Sequence, residues 1–200
     1  MQTPSRPAGG RTEPPASLDA LGSACGELLD AALRVGPGDC PELLERAARV
    51  IRGLTEELAP HRREAGGRPF YVRDARVGIH NPVQPRPRLE TADGVTRGGV
   101  RFGVAFEGPP GTVHGGIVAL LFDQLLGHHN VEIGTGGMTG RLEVRYRRPT
   151  PIDADLTLEA RTLRRGERRA QVCGEIRHGD VITAQAVGLF MQRRRRSTRD

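Results

Sequence analysis

From position 17 onward, apolar residues recur at three- and four-residue steps. Leu18, Leu21, Cys25, Leu28, Leu29 and Ala32 mark one face of a helix. Gly36-Pro37-Gly38 closes it, and Pro41 suits the first turn of a second helix. There Leu43, Leu44, Ala47, Val50, Ile51, Leu54 and Leu58 keep the same spacing as far as Pro60. The pattern predicts two amphipathic helices over 17–60, an arm whose apolar faces pack on a sheet or a partner. Residues 1–16 hold Pro, Gly, Ser and charge with nothing to bury, and are expected to be disordered. Residues 61–82 read as an irregular linker, and 193–200, with Arg193 to Arg196, as a solvated tail.

The period then changes to two. Val100, Phe102, Val104 and Phe106 alternate, as a half-buried strand does. Leu142, Val144 and Tyr146 alternate against Arg141, Glu143, Arg145 and Arg147, and Leu156, Leu158 and Ala160 against Asp155, Thr157, Glu159 and Arg161. Val172 to Ile176 and Val181 to Met191 are two further strands, with a hairpin turn at His178-Gly179-Asp180. Among these strands lies His114 to Leu126, apolar nearly all round. A helix with no polar stripe is buried on most sides. The pattern gives an α+β domain over 83–192, with two strands before the central helix and four after it, in an antiparallel sheet wrapped round that helix.

Composition narrows the chemistry. The chain has 200 residues and a net charge of +6. None of its basic residues is Lys, which excludes a phosphate-loop lysine and Schiff-base chemistry. With no Trp and 4% aromatics, base-stacking platforms are not expected, and no nucleic-acid partner is. Cys25, Cys40 and Cys173 have neither disulfide-framework nor zinc spacing. The first residues lack the apolar core of a secretory signal, and no apolar run approaches membrane-spanning length. A cytoplasmic protein with no metal and no membrane attachment is the expectation.

Candidate chemistry gathers on the central helix. It opens with Gly111-Thr112-Val113-His114-Gly115-Gly116. First-turn amides have no intrahelical acceptor, and the helix dipole is positive there, so Gly115 and Gly116 could hold an oxyanion. Asp123 sits within the most apolar stretch, where a carboxylate needs a partner or a cavity and suits a general base. Gly116 and Asp123 share a helix face but lie ~10 Å apart along the axis. Two such helices set antiparallel about a twofold axis would bring Asp123 of one chain to the glycines of the other, which predicts a shared site and a homodimer.

Three features together carry a resemblance: His114-Gly115-Gly116, an Asp nine residues after the His, and Thr139 sixteen residues after that Asp. With the strand Leu142-x-Val144-x-Tyr146, and over about residues 80–192, the chain resembles the hotdog-fold acyl-CoA thioesterases of the PaaI/THEM4 type. The resemblance implies a helix wrapped by five to six strands, dimers or dimers of dimers, an acyl-CoA substrate and no cofactor. It implies Asp123 as base or nucleophile, amides of Gly115 and Gly116 polarising the thioester carbonyl, and Thr139 positioning water or the carboxylate. Some relatives carry an Asn shortly before the His, where this chain has Gly108-Pro109-Pro110-Gly111. The arm of 17–60 is not part of the common core.

Other residues keep two readings. His114 either organises the loop or touches substrate. Thr139 has the opposite parity to Leu142, Val144 and Tyr146, so without a bulge it faces away from the core. His128 and His129 stand where a side chain caps the last carbonyls of a helix. Arg147 and Arg148 are candidates for coenzyme A phosphates, since guanidinium groups match phosphate geometry. Two alternatives to hydrolysis remain. An enoyl-CoA hydratase or dehydratase on this fold would pair Asp123 with His128, and a non-catalytic module would bind acyl-CoA without turnover.

Overall fold

A computed structural model describes residues 16–36, 38–61 and 83–192. All of the segment 1–16 expected to be disordered except Ala16, the solvated tail 193–200 and nearly all of the linker 61–82 fall outside these residues. The arm consists of helix α1, Ala16–Arg34, and helix α2, Pro41–Leu58, with Pro41 in the first turn after Cys40. The body is a six-stranded antiparallel sheet and one long helix, α3, Gly115–Glu132. Strands β1 (Arg88–Ala92) and β2 (Val95–Arg101) precede α3. Strands β3 (Met138–Tyr146), β4 (Asp155–Arg165), β5 (Arg169–His178) and β6 (Val181–Met191) follow it. Their order across the sheet is β1-β2-β4-β5-β6-β3, so β3 is an edge strand.

One expected strand is corrected. Val104 and Phe106 belong to a 3-10 turn, Val104–Phe106, and the extended segment is β2 before it. Gly103 breaks the run, and Phe102 and Phe106 meet edge to face with ring centroids 5.4 Å apart. β1 and β2 are joined by Asp93-Gly94, both at positive φ (50° and 74°), the geometry of a two-residue hairpin turn.

The core lies between α3 and the sheet. Leu121, Phe122, Leu125 and Leu126 are wholly buried against Leu156, Val172, Ile176 and Phe190. Small residues at the centre of the sheet let the helix come close. A Cβ on Gly174 would stand 2.8 Å from Leu126 Cδ2, where real Cβ atoms do not go. The helix is not buried on all sides, however. Ile117, Ala119, Leu120, Asp123 and Gln124 form a half-exposed flank.

The end of α3 also differs from expectation. His129 does not cap carbonyls. It is fully buried, with Nδ1 2.9 Å from Thr96 Oγ1 and Nε2 3.0 Å from Thr162 Oγ1, and so ties α3 to β2 and β4. Burial, helped by neighbouring His128, holds its pKa below the ordinary 6.5. The carbonyl capping falls to the following turn, where Thr135 and Gly136 amides donate to Asn130 O.

Candidate active site

The loop leading into α3 is fixed by its own backbone. Gly108 N donates to Thr112 O, Gly111 N donates to Glu107 Oε1 at 2.6 Å, and His114 N donates to Phe106 O. Gly108 must be glycine, because a Cβ there would stand 2.8 Å from His114 Cα. The turn Gly108-Pro109-Pro110-Gly111 thus delivers His114 to the helix start.

His114 is the N-cap of α3. Its Nδ1 accepts the Gly116 N–H at 3.0 Å, so the ring proton of the neutral form lies on Nε2. His114 O accepts from Ile117 and Val118. No hydrogen bond among the described residues engages the Gly115 N–H. Of the two glycine amides singled out by sequence, one is therefore held by the cap and the other is available at the positive end of the helix. Tyr146 adds a contact that sequence reading missed. Its hydroxyl donates to Gly115 O at 2.8 Å, and its ring closes over the Gly115 Cα. The Gly115–Gly116 peptide is thus held at both its oxygen and its nitrogen.

At the other end of β3, Thr139 Oγ1 donates to Asp123 Oδ1 at 2.7 Å. The parity problem is solved by a bulge. Thr139 pairs with Phe190 and Arg141 with Leu189, which leaves Gly140 as the extra residue and turns Thr139 toward the helix. Asp123 is half-buried in a single chain rather than enclosed. Thr139 leaves one of its carboxylate oxygens without a hydrogen bond from that hydroxyl.

The structure brings Asp123 to Thr139, and His114 with Tyr146 to Gly115 and Gly116. It does not bring the two pairs together within one chain, since Gly115 and Asp123 lie ~12 Å apart along α3. Arg147 and Arg148 follow Tyr146 at the glycine end. Their amides donate to Thr183 O, and Arg147 Nε donates to Gln185 Oε1 at 3.1 Å on the sheet face away from α3. Cavities lined by described residues lie elsewhere. One of about 260 Å³ on the outer sheet face is lined by Arg147, Arg161 and Cys173, and one of about 380 Å³ on the same face by Arg141 and Arg169. Another, about 590 Å³, separates α1 from the body. Among the described residues no group of three or more His, Cys, Asp or Glu is arranged to hold a metal ion. No described helix is long and apolar enough to cross a membrane.

Comparison with known proteins adds three findings. Residues 110–184 match the family model of the thioesterase superfamily, a span that begins within the loop before α3 and includes α3, Thr139 and Tyr146. Acyl-coenzyme A thioesterase THEM4 of Xenopus laevis is 30% identical over 92 residues, which cover 45% of this chain and 41% of that protein. The match thus spans less than half the length of that curated relative. A crystal structure described as a thioesterase superfamily protein is 34% identical with a TM-score of 0.78, covering 90% of this chain and 94% of its own. That coverage takes in much of the arm as well as the body. A hypothetical thioesterase from Streptococcus pneumoniae crystallised with coenzyme A shares the fold, at 20% identity and a TM-score of 0.51, over 56% of this chain and 91% of that one. With the 34% match running nearly end to end and the family model lying on the segment that carries the candidate site, this chain belongs to the thioesterase superfamily.

Proposed function

We propose that the protein hydrolyses the thioester of an acyl-coenzyme A to the free acid and CoA, in a site shared by two copies of the chain. The observation that carries this reading is the Thr139–Asp123 hydrogen bond, made on a half-exposed carboxylate beside an open sheet edge. The thioesterase relatives support the reaction class, and the THEM4 relative supports the coenzyme A ester.

In this reading the thioester carbonyl oxygen lies against the Gly115 N–H of one copy. Thr139 holds Oδ1 of Asp123 in the other copy, leaving Oδ2 to take a proton from water. The hydroxide adds to the carbonyl carbon, and the charge moves to the oxygen facing the amide. Collapse re-forms the carbonyl, breaks the carbon–sulfur bond and releases CoA thiolate, which recovers the proton from Asp123. Gly116 and His114 hold the helix start rather than the substrate, and Arg147 and Arg148 contact the CoA phosphates. No cofactor takes part. Domain 83–192 carries the site, and the three unpaired cysteines suit a reducing compartment such as the cytoplasm. The hydratase alternative gains nothing from the geometry, because the partner brought to Asp123 is a hydroxyl on β3 rather than His128.

The test is thiol release from short, medium, long and aryl acyl-CoAs. Positioned general-base catalysis is worth ~10²–10⁴-fold, so Asp123→Asn should lower turnover by that factor while acyl-CoA binding survives. Unchanged thiol release by the folded variant refutes the assignment. Wild-type binding without turnover selects the non-catalytic module.

A further inference from the structure

The arm is attached to the body by its polar side. Asp30 Oδ1 accepts the Val104 N–H at 2.7 Å, Arg34 bridges Asp30 and Asp153, and Arg86 Nη1 donates to Ser23 Oγ at 2.7 Å. Ser23, Asp30 and Arg34 share one face of α1. The opposite face, with Leu21, Leu28 and Leu29, points away from the body, and these residues are about 40% exposed. Helix α2 repeats the situation more strongly. None of its residues is buried, and Leu43, Val50, Leu54 and Leu58 are each about half exposed along one stripe. An amphipathic helix ordinarily packs by its apolar face. Here two such faces, on helices of 19 and 18 residues, are left outward on one arm.

We infer that these faces are buried against the arm of a second copy of the chain, α1 of one copy against α2 of the other and the reverse. The match in length makes such a pairing self-complementary, as a twofold interface requires. The area is sufficient. Eleven large apolar residues of the arm are more than a third exposed. At ~100 Å² for a wholly exposed aliphatic side chain, half exposure of eleven gives roughly 500–600 Å² of apolar surface per copy. Two copies supply ~1,100 Å², which equals the apolar share of an interface of standard size. Charge argues against a lipid surface as the occupant. Helix α2 carries Glu42, Glu45, Glu56 and Glu57 against Arg46, Arg49 and Arg52, whereas helices that lie on membranes are rich in basic residues.

This inference does not depend on the hydrolytic reading, and turnover is not its readout. In a full-length background with Cys25, Cys40 and Cys173 replaced by Ser, Leu28→Cys is placed in one tagged chain and Leu54→Cys in a differently tagged chain. The mixture is treated with a short bismaleimide. The expected product joins the two tags. It falls at least tenfold when Arg52→Cys, on the polar face of α2, replaces Leu54→Cys, and when Leu58→Glu is added. Far-UV circular dichroism checks that each variant keeps its helices. The absence of a joined product, or co-sedimentation of the wild type with phosphatidylcholine–phosphatidylglycerol vesicles, would each overturn the inference.

Discussion

Replacing Thr139 by Val removes one hydroxyl and keeps a β-branched side chain on the strand. What is lost is the 2.7 Å hydrogen bond to Asp123 Oδ1. Hydrogen bonds to charged groups contribute ~1.5–3 kcal/mol, and both residues are partly exposed, which puts this one at the lower end. A loss near ~1.4 kcal/mol in the transition state is about tenfold in kcat. Because the hydroxyl acts through the carboxylate, KM should move less than kcat. The decisive measurement is a double-mutant cycle by thiol release. If Thr139 works by holding the Asp123 carboxylate, Thr139→Val should cost less than about twofold once Asp123→Asn is present, so the coupling energy matches the single effect. Independent, additive losses in the double variant would refute the positioning argument. So would Thr139→Val turning over at the wild-type rate.

Two further outcomes follow from groups outside the site. His129 is neutral when folded, with its pKa held below 6.5 by burial, whereas the unfolded chain takes up that proton as pH falls through 6.5. The unfolded state then binds more protons, so stability is full above about 6.5 and declines below it toward the folded-state pKa, by up to ~1.4 kcal/mol per pH unit. Urea denaturation of His129→Gln between pH 5 and 8 should show lower stability at pH 8 and a flatter fall below 6.5; an unchanged slope would be inconsistent with a buried neutral imidazole. Asp30 titrates below 3.8, chiefly through its hydrogen bond to Arg34. Its contribution is therefore present above 3.8 and lost as pH falls through the folded value. Asp30→Ala at pH 7 should speed proteolytic cleavage between α1 and the body severalfold, and equal cleavage rates would show that the arm is held by something else.

How much of this was legible follows from the range of each interaction. The arm helices, α3 and strands β3 to β6 announce themselves by local period, since Leu121, Leu125 and Leu126 need only their neighbours to define a face. β1 has only five residues and β2 is interrupted by Gly98-Gly99, and Asp93-Gly94 is the local signal for their hairpin. The false strand at Val104 and Phe106 arose because alternation continues past Gly103 while the backbone does not. The role of His129 lies beyond any local pattern because its partners, Thr96 and Thr162, are each 33 residues away. The pairing of Asp123 with Thr139 came from family resemblance, and the bulge at Gly140 that permits it could be named only as a condition. By alternation Tyr146 is one more apolar strand position, and nothing in its neighbours signals that its hydroxyl reaches Gly115. For α1, periodicity found the apolar stripe correctly but could not say that the polar side meets the body.

The arm and the candidate site are also joined by a continuous path of hydrogen bonds. Asp30 holds the amide of Val104, at the start of the 3-10 turn. The far end of that turn, Phe106 O, accepts the His114 amide, and His114 caps α3 through Gly116. Each link is a hydrogen bond of 2.7–3.0 Å, so a displaced arm would tilt the loop that presents Gly115. Strand β3 acts on the same helix from the other side, through Thr139 at Asp123 and Tyr146 at Gly115. Both supports meet at surfaces left open in a single chain, the outward face of the arm and the unpaired edge of β3. An unpaired edge strand is a liability that proteins cover or pair. Two copies that joined along β3 as well as through their arms would cover both surfaces and complete the site in the same step. Assembly and turnover would then fail together when the edge of β3 is blocked, whereas loss of Asp123 would stop turnover and leave the assembly intact.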